Sequence, residues 1–342
     1  MPKLSVFIGT YNRADLLREC LESVVNQSFR DFEIVVVDDG STDNTREVVS
    51  KFPVIYFYQR NQGVSQVANR GVELSQGEYI AFLGSDDVLL KDSLEKRVEV
   101  LDKHPEVGFC YGQALLMDEK GHIFGKRKAR THGGLQDRKD VIKRFLLFSG
   151  NAIIPSTLMA RRARIVQVGM FNPAFPSIED TDLFSRMAKQ YDVFYLDEPL
   201  AAYRVHPGNM SRVPDLELWE RVHTHINEGI FQDPELGPIF LPLRSRAYSR
   251  CHFAMAEQAY SARQMKATRA ELWKAFRLHP PSALSWTWPF LLAKSWFPVS
   301  LLEATHSWRR NLSVASNRRT RPAQGASPAT VNEGRVMSDG EP

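Results

Sequence analysis

Two adjacent carboxylates, Asp86 and Asp87, close the stretch Phe82-Leu83-Gly84-Ser85-Asp86-Asp87. The residues before it, Gly77-Glu78-Tyr79-Ile80-Ala81, read as a short buried strand running straight into them. Open parallel sheets bind ligands just outside the carboxyl ends of their strands. Paired acids there can hold a hard divalent cation, and such a cation can neutralise a diphosphate. Taken alone, Ser85-Asp86-Asp87 is as well explained by Asp ending a strand and capping the next turn. Polar residues recur, however, at the ends of two other apolar runs: Thr10-Tyr11-Asn12-Arg13 after residues 4–8, and Asp38-Asp39 after residues 32–37. A nucleotide site could draw on all three clusters, with the Tyr11 ring against a base and carboxylates on base or ribose groups.

A second acidic focus is Ile178-Glu179-Asp180-Thr181-Asp182, before apolar spacing from Leu183 to Met187 that predicts a helix. Acids in a first helical turn are favoured by the helix dipole without further function. His206 lies in Tyr203-Arg204-Val205-His206-Pro207-Gly208-Asn209-Met210-Ser211, and His223 and His225 have no ligand cluster near them in sequence.

These groups need a scaffold, and the first 112 residues supply one. Strand-length apolar runs at 4–8, 32–37, 54–58 and 79–83 alternate with helical spacing at 14–26, 42–51 and 64–75. That alternation predicts right-handed βαβ units and a parallel sheet, an α/β nucleotide-binding half. Ser41 or Thr42 is placed to cap the second helix. No G-x-G-x-x-G comes after the first strand and no G-x-x-x-x-G-K-[ST] occurs, which argues against dinucleotide dehydrogenases and P-loop NTPases. From 113 to about 150 the pattern breaks up. Gly125-Lys126-Arg127-Lys128-Ala129-Arg130 reads as a basic loop: either a solvated face or a group near diphosphate or lipid headgroups. Arg161, Arg162 and Arg164 read as a solvated charged face.

The bulk properties agree. The chain has 342 residues, 43% hydrophobic and 25% charged, with a formal net charge of +4. This is a globular composition, mildly suited to anionic partners such as nucleotides or acidic lipid. Three scattered cysteines, Cys20, Cys110 and Cys251, offer no paired thiol spacing and point to a reducing compartment. The opening apolar run is too short for a signal peptide, and no run reaches the ~18 residues of a spanning helix.

In order and spacing, several blocks resemble the family 2 inverting glycosyltransferases. They are Pro2-Lys3-Leu4-Ser5-Val6-Phe7-Ile8-Gly9-Thr10-Tyr11-Asn12-Arg13, Ser23-Val24-Val25-Asn26-Gln27-Ser28 and Glu33-Ile34-Val35-Val36-Val37-Asp38-Asp39-Gly40-Ser41-Thr42-Asp43. Asn61-Gln62-Gly63-Val64-Ser65, Gly77-Glu78-Tyr79-Ile80 and Ser85-Asp86-Asp87 continue the series, and the resemblance covers roughly residues 1–215. It implies a GT-A fold, a mostly parallel sheet flanked by helices, with a nucleotide-sugar-binding half at 1–112 and an acceptor-side half at 113–215. It implies donor contacts from Thr10, Tyr11, Arg13, Asp38, Asp39 and Asp86, and a Mn²⁺ or Mg²⁺ site at Asp87 with His206. It further implies a catalytic base at Asp180, with Glu179 the alternative, and an acidic pair standing over the acceptor. Ala68 departs from the Arg that many members carry before Asn69, so that a cationic contact to the donor is either lost or supplied from elsewhere, by Arg70 or Arg60. The implied partners are a nucleotide-diphospho-sugar and a saccharide or lipid-linked acceptor, with no nucleic acid. Two other activities use comparable parts: a sugar-phosphate nucleotidyltransferase, and a silent nucleotide-sugar-binding module of a membrane assembly.

Beyond about residue 215 the chain reads as a helical extension, 216–311. Residues 243–261 and 264–278 form an expected αα-hairpin eased by Ala254, Ala259, Ala270 and Ala275. Five of the six tryptophans lie between 273 and 308, among Lys294, Arg309 and Arg310. Tryptophan with basic residues favours an anionic membrane interface, so a cytoplasmic protein held peripherally at the membrane's cytoplasmic face is expected. Residues 312–342, poor in large apolar groups, are expected to be disordered.

Overall fold

Strand β1 (Leu4–Thr10) explains the layering of the molecule. Leu4, Val6 and Ile8 enter one apolar layer, and Phe7 enters the other. β2 (Phe32–Asp38) and β4 (Tyr79–Gly84) alternate in the same way, with Ile34, Val36, Ala81 and Leu83 on the first side and Val35, Val37, Ile80 and Phe82 on the second. Strands buried on both faces are the mark of a parallel sheet covered by helices. The computed structural model describes residues 1–129, 131–148, 153–209, 215–281 and 287–296. Arg130, Met210, Ser211, Trp286, Trp308 and the whole 312–342 tail lie outside them.

The remaining strands are β3 (Ile55–Tyr58), β5 (Val88–Leu89), β6 (Val107–Met117), β7 (Ile123–Arg127), β8 (Gly134–Gln136), β9 (Met159–Arg161) and β10 (Asp192–Arg204). Their order is β3-β2-β1-β4-β9-β6-β10-β5, with β7 on β6 and β8 on β10. β1 to β4 run parallel, as do β6 and β10, while β9 lies antiparallel between β4 and β6. The sheet is therefore mixed but mostly parallel, α/β as expected.

Helices α1 (Ala14–Val25), α2 (Thr45–Val49) and α4 (Ser93–Lys103) cover the first face. On the second lie α3 (Val64–Leu74), α5 (Arg138–Phe148), α6 (Arg162–Gln167) and α7 (Glu179–Gln190). Gly71 lets α3 settle on the sheet: a Cβ there would stand 2.1 Å from the Phe7 ring. Leu218, Val222, Ile226 and Ile230 of α8 (Leu216–Phe231) join the same apolar layer, together with Phe240 of α9 (Gly237–Phe240) and Ala247 of α10 (Arg244–Ser261). The αα-hairpin forms from α10 and α11 (Met265–Leu278), with a separate small core shared with α12 (Thr287–Lys294). Ala254, Ala259 and Ala275 are buried in it, whereas Ala270 faces outward. Among the described residues no helix is long and apolar enough to cross a membrane.

Three local expectations change. α2 is shorter than residues 42–51, and neither Ser41 nor Thr42 caps it. Ser41 Oγ instead accepts the Asn12 N–H, and Thr42 N–H donates to Asn12 Oδ1, so these residues stitch two loops together. Residues 123–127 form a strand rather than a loop, because β6 extends far enough to pair with them. Arg161 and Arg164 are not a solvated face; they donate to the carbonyls of Leu101, His104, Val107, Glu106 and Pro105 and so tie α4 to β9 and α6.

Candidate active site

The ends of β1, β2 and β4 lie side by side, with Thr10 in register with Asp38 and Gly9 with Gly84. Asp38 is spent inside the protein: it accepts Ser41 N–H at 2.8 Å and the Tyr56 hydroxyl at 2.7 Å. Asp39 accepts Gln59 Nε2 at 2.9 Å, Gln62 N–H at 2.9 Å and Gly63 N–H at 3.0 Å. Both carboxylates thus fix the loops that follow β2 and β3. Tyr11 stands 48% exposed, and the Thr10 hydroxyl is buried with no hydrogen-bond partner among the described residues. A buried polar atom left unpaired costs stability unless a ligand or water completes it. Of the two candidate replacement cations, Arg70 is taken by Glu73 at 2.7 Å, and Arg60 is exposed.

Asp86 and Asp87 part company. The Asp87 carboxylate turns inward, accepting the Ser156 hydroxyl and, at 2.9 Å, the Arg204 backbone N–H. Burial and the neighbouring Asp86 charge push it up to about 7. Asp86 points the other way: its Oδ2 meets Arg13 Nη1 and, at 2.9 Å, His206 Nε2. His206 therefore pairs with Asp86 and not with Asp87, so the expected metal couple of Asp87 and His206 is not brought together. Arg13 also donates to Gly208 O at 3.0 Å, and Asn209 closes the turn by accepting His206 N–H at 2.6 Å.

Sequence reading missed Arg204. It is 2% exposed, donates through Nε to Asp86 O at 2.9 Å, reaches Asp118 O and Glu119 O, and pairs with Glu19. A buried arginine has no sequence signature. Its place shortly before the His206 turn was the only available hint.

Glu179 and Asp180 open α7. The residue before them, Ile178, has φ 69° and ψ 11°, a left-handed conformation unusual for a β-branched side chain. Such strain costs of order 1–3 kcal/mol and gathers at functional sites. Burial and the adjacent Asp180 charge push Glu179 up to about 8. Asp180 Oδ1 accepts Thr181 N–H at 2.6 Å. Asp182 is buried and held by Arg186 at 2.7 Å and 3.0 Å, and its other oxygen lies 3.7 Å from His225 Nε2. The loop leading to α7 is tied to α3: Asn69 exchanges two hydrogen bonds with Phe171, and Ser65 donates to Phe175 O. The first 112 residues and the segment leading to α7 are thereby fixed to each other.

A carboxylate and an imidazole converging from separate elements suit Mn²⁺ or Mg²⁺. No group of three or more His, Cys, Asp or Glu side chains gathers among the described residues. Asp86 and His206 would be the pair to hold such a cation, whereas the buried Asp87 carboxylate faces Ser156 and the Arg204 N–H.

Residues 5–168 match the model of glycosyl transferase family 2. That stretch, just under half of the chain, is a glycosyl transferase family 2 domain. Among its relatives, an uncharacterised glycosyltransferase of Rickettsia conorii is 31% identical over 214 residues, 61% of this chain. The matched stretch spans only 35% of that relative's length. The GalNAc(5)-diNAcBac-PP-undecaprenol β-1,3-glucosyltransferase of Campylobacter jejuni is 30% identical over 60% of this chain and 65% of its own. In fold, the glycosyltransferase resembles S. aureus TarS 1-349 in complex with UDP, with TM-score 0.60, 20% identity, and coverage of 86% and 88% of the two chains. It also resembles the mannosyltransferase PcManGT of Pyrobaculum calidifontis in complex with GDP-Man and Mn²⁺, with TM-score 0.55, 17% identity, and coverage of 86% and 84%. The architecture is of the GT-A type with a helical C-terminal region.

Proposed function

We propose that this glycosyltransferase moves a sugar from a nucleotide-diphospho-sugar to an acceptor hydroxyl with inversion, in polysaccharide or glycolipid synthesis. The observation that carries the reading is the convergence of Asp86 and His206 at the end of β4, inside the matched family 2 domain. Thr10, Tyr11 and the Asp38 and Asp39 loops would hold the nucleoside, and Arg13 the diphosphate. A divalent cation bound by Asp86 and His206 would offset charge on the leaving diphosphate. Asp87, with Ser156 and Arg204, would keep Asp86 aimed outward.

Asp180 would accept the proton of the acceptor hydroxyl as it attacks the anomeric carbon. Its neighbour Glu179, with its raised affinity for protons, is the alternative base. One displacement, with nucleophile and leaving group on opposite faces of the sugar, inverts the anomeric centre. The undecaprenyl diphosphate acceptor named for the Campylobacter relative supports a lipid-linked acceptor here. In the extension, Trp273 and Phe290 are each 58% exposed, and Lys294 Nζ sits 4.1 Å over the Phe290 ring. Those side chains support peripheral attachment to the cytoplasmic face of an anionic membrane.

The test is a screen of nucleotide-sugars for release of nucleoside diphosphate with Mn²⁺ and with chelator, and then NMR of the product's anomeric configuration. Release of pyrophosphate instead would mark a nucleotidyltransferase, and donor binding without turnover would mark a silent module. Retained configuration would exclude the single displacement.

A further inference from the structure

The basic run at 125–129 belongs to a hairpin that the transfer chemistry does not use. β7 pairs with β6 alone among the described residues, leaving an edge strand. Along it Ile123 is 50% exposed and Phe124 59%, with exposed Lys126, Arg127 and Lys128 close behind. Neither Lys126 nor Lys128 has a carboxylate partner among the described residues. Charges on an edge strand guard it against pairing with another chain, which would account for the lysines. It does not account for two large apolar side chains held in water beside them.

The hairpin is also stiff. Asp118 accepts the N–H groups of Lys120 and His122, each at 2.9 Å, and donates its own N–H to His122 O at 3.0 Å. Arg204 grips the turn through Asp118 O at 3.3 Å and Glu119 O at 3.2 Å. That same guanidinium holds Asp86 O, so the prong and the candidate metal carboxylate share one brace.

We propose that the β6–β7 hairpin is a membrane-contacting prong, setting Ile123 and Phe124 at the interface of an anionic bilayer while Lys126 and Lys128 meet headgroup phosphates. Apolar side chains flanked by cations match the two layers of such a surface, acyl boundary and charged headgroup. The contact is separate from the aromatic groups of α11 and α12. It rests on the lipid-linked reading only for its purpose, placing the site where such an acceptor emerges. Vesicle binding itself is measured without turnover.

The experiment is co-sedimentation of the full chain with phosphatidylcholine vesicles, with and without phosphatidylglycerol, at low and high salt. The wild type should bind the anionic vesicles and release in salt. Phe124→Ser/Lys126→Glu/Lys128→Glu should partition at least about tenfold less, with unchanged thermal melting and unchanged nucleoside diphosphate release in detergent-free solution. Lys126→Gln/Lys128→Gln, a gentler pair, should lose less. Trp273→Ser/Phe290→Ser serves as a parallel arm, and its loss should add to that of the hairpin variant. The proposal is overturned if the hairpin variant sediments like wild type, or if wild type shows no preference for anionic vesicles. It is equally overturned if the hairpin variant keeps vesicle binding but loses affinity for a nucleoside diphosphate, which would assign the lysines to the donor.

Discussion

The chain carries two adjacent carboxylate pairs at the mouths of its sheet, and the fold treats them in opposite ways. Asp86-Asp87 ends a strand and is surrounded by compensation: Arg13 and His206 on the outer acid, Ser156 and the Arg204 N–H on the inner one. Glu179-Asp180 starts a helix behind a left-handed Ile178, and its inner member is pushed up to about 8. In the proposed reading the first pair would hold positive charge, and the second would take up a proton. In both, burial and the like charge beside it raise one partner, Asp87 to about 7 and Glu179 to about 8. Adjacent acids in a sequence are therefore not one motif; their partners decide which chemistry they serve.

The sharpest way to break this contrast is at Asp180. Asp180→Asn keeps shape without basicity and should cut kcat about 10²- to 10⁴-fold, with donor affinity nearly unchanged. Steady-state turnover alongside titrated donor binding would show it; a mild effect, with Glu179→Gln severe, would move the base by one residue. On the other pair, Asp86→Ala or His206→Ala should weaken Mn²⁺-dependent binding of a nucleoside diphosphate about 10- to 100-fold, read by calorimetry. Mn²⁺-dependent affinity equal to wild type would remove the cation from that pole.

Smaller effects separate inner from outer acids. Asp87 binds its proton more tightly folded, at about 7, than its ordinary 3.8. The folded state therefore holds the extra proton between those values, and stability falls as pH rises through that window. Glu179 adds the same sign between 4.5 and about 8. Asp87→Asn should remove its share, on the order of 1–3 kcal/mol by pH 7, so melts from acid to neutral pH should show a flatter decline in the variant. An unchanged slope would mean that Asp87 carries no such proton. Smallest of all, Ile178→Gly relieves the left-handed strain but gives up the side chain's packing on the core, so stability should not rise, while the loosened turn that aims Asp180 lowers turnover. Higher stability with full activity would show that the strain serves no catalytic purpose.

Much of the frame was written in the sequence by itself. The alternation of apolar runs and helical spacing over the first 112 residues determined β1 to β4 and their helices, because burial on both faces leaves a covered parallel sheet as the way to satisfy such strands. The ordered blocks around Thr10, Asp38-Asp39 and Asp86-Asp87 likewise identified the family. Local pattern failed where a residue's role depends on who faces it. Ser41 and Thr42 looked like helix caps, yet they face Asn12 across a loop and stitch instead. Residues 123–127 looked like a loop, since a strand with one neighbour and an exposed face carries no apolar alternation to read. Asp86 and Asp87 are equal in sequence, and only the fold turned one toward His206 and the other toward Ser156 and Arg204. Their partners come from β10, the segment after it and the turn before β9, 69 or more positions along the chain. Electrostatics and hydrogen bonding act through space over a few ångströms, so the identities of the brace and the outward-facing acid were decided by tertiary structure alone.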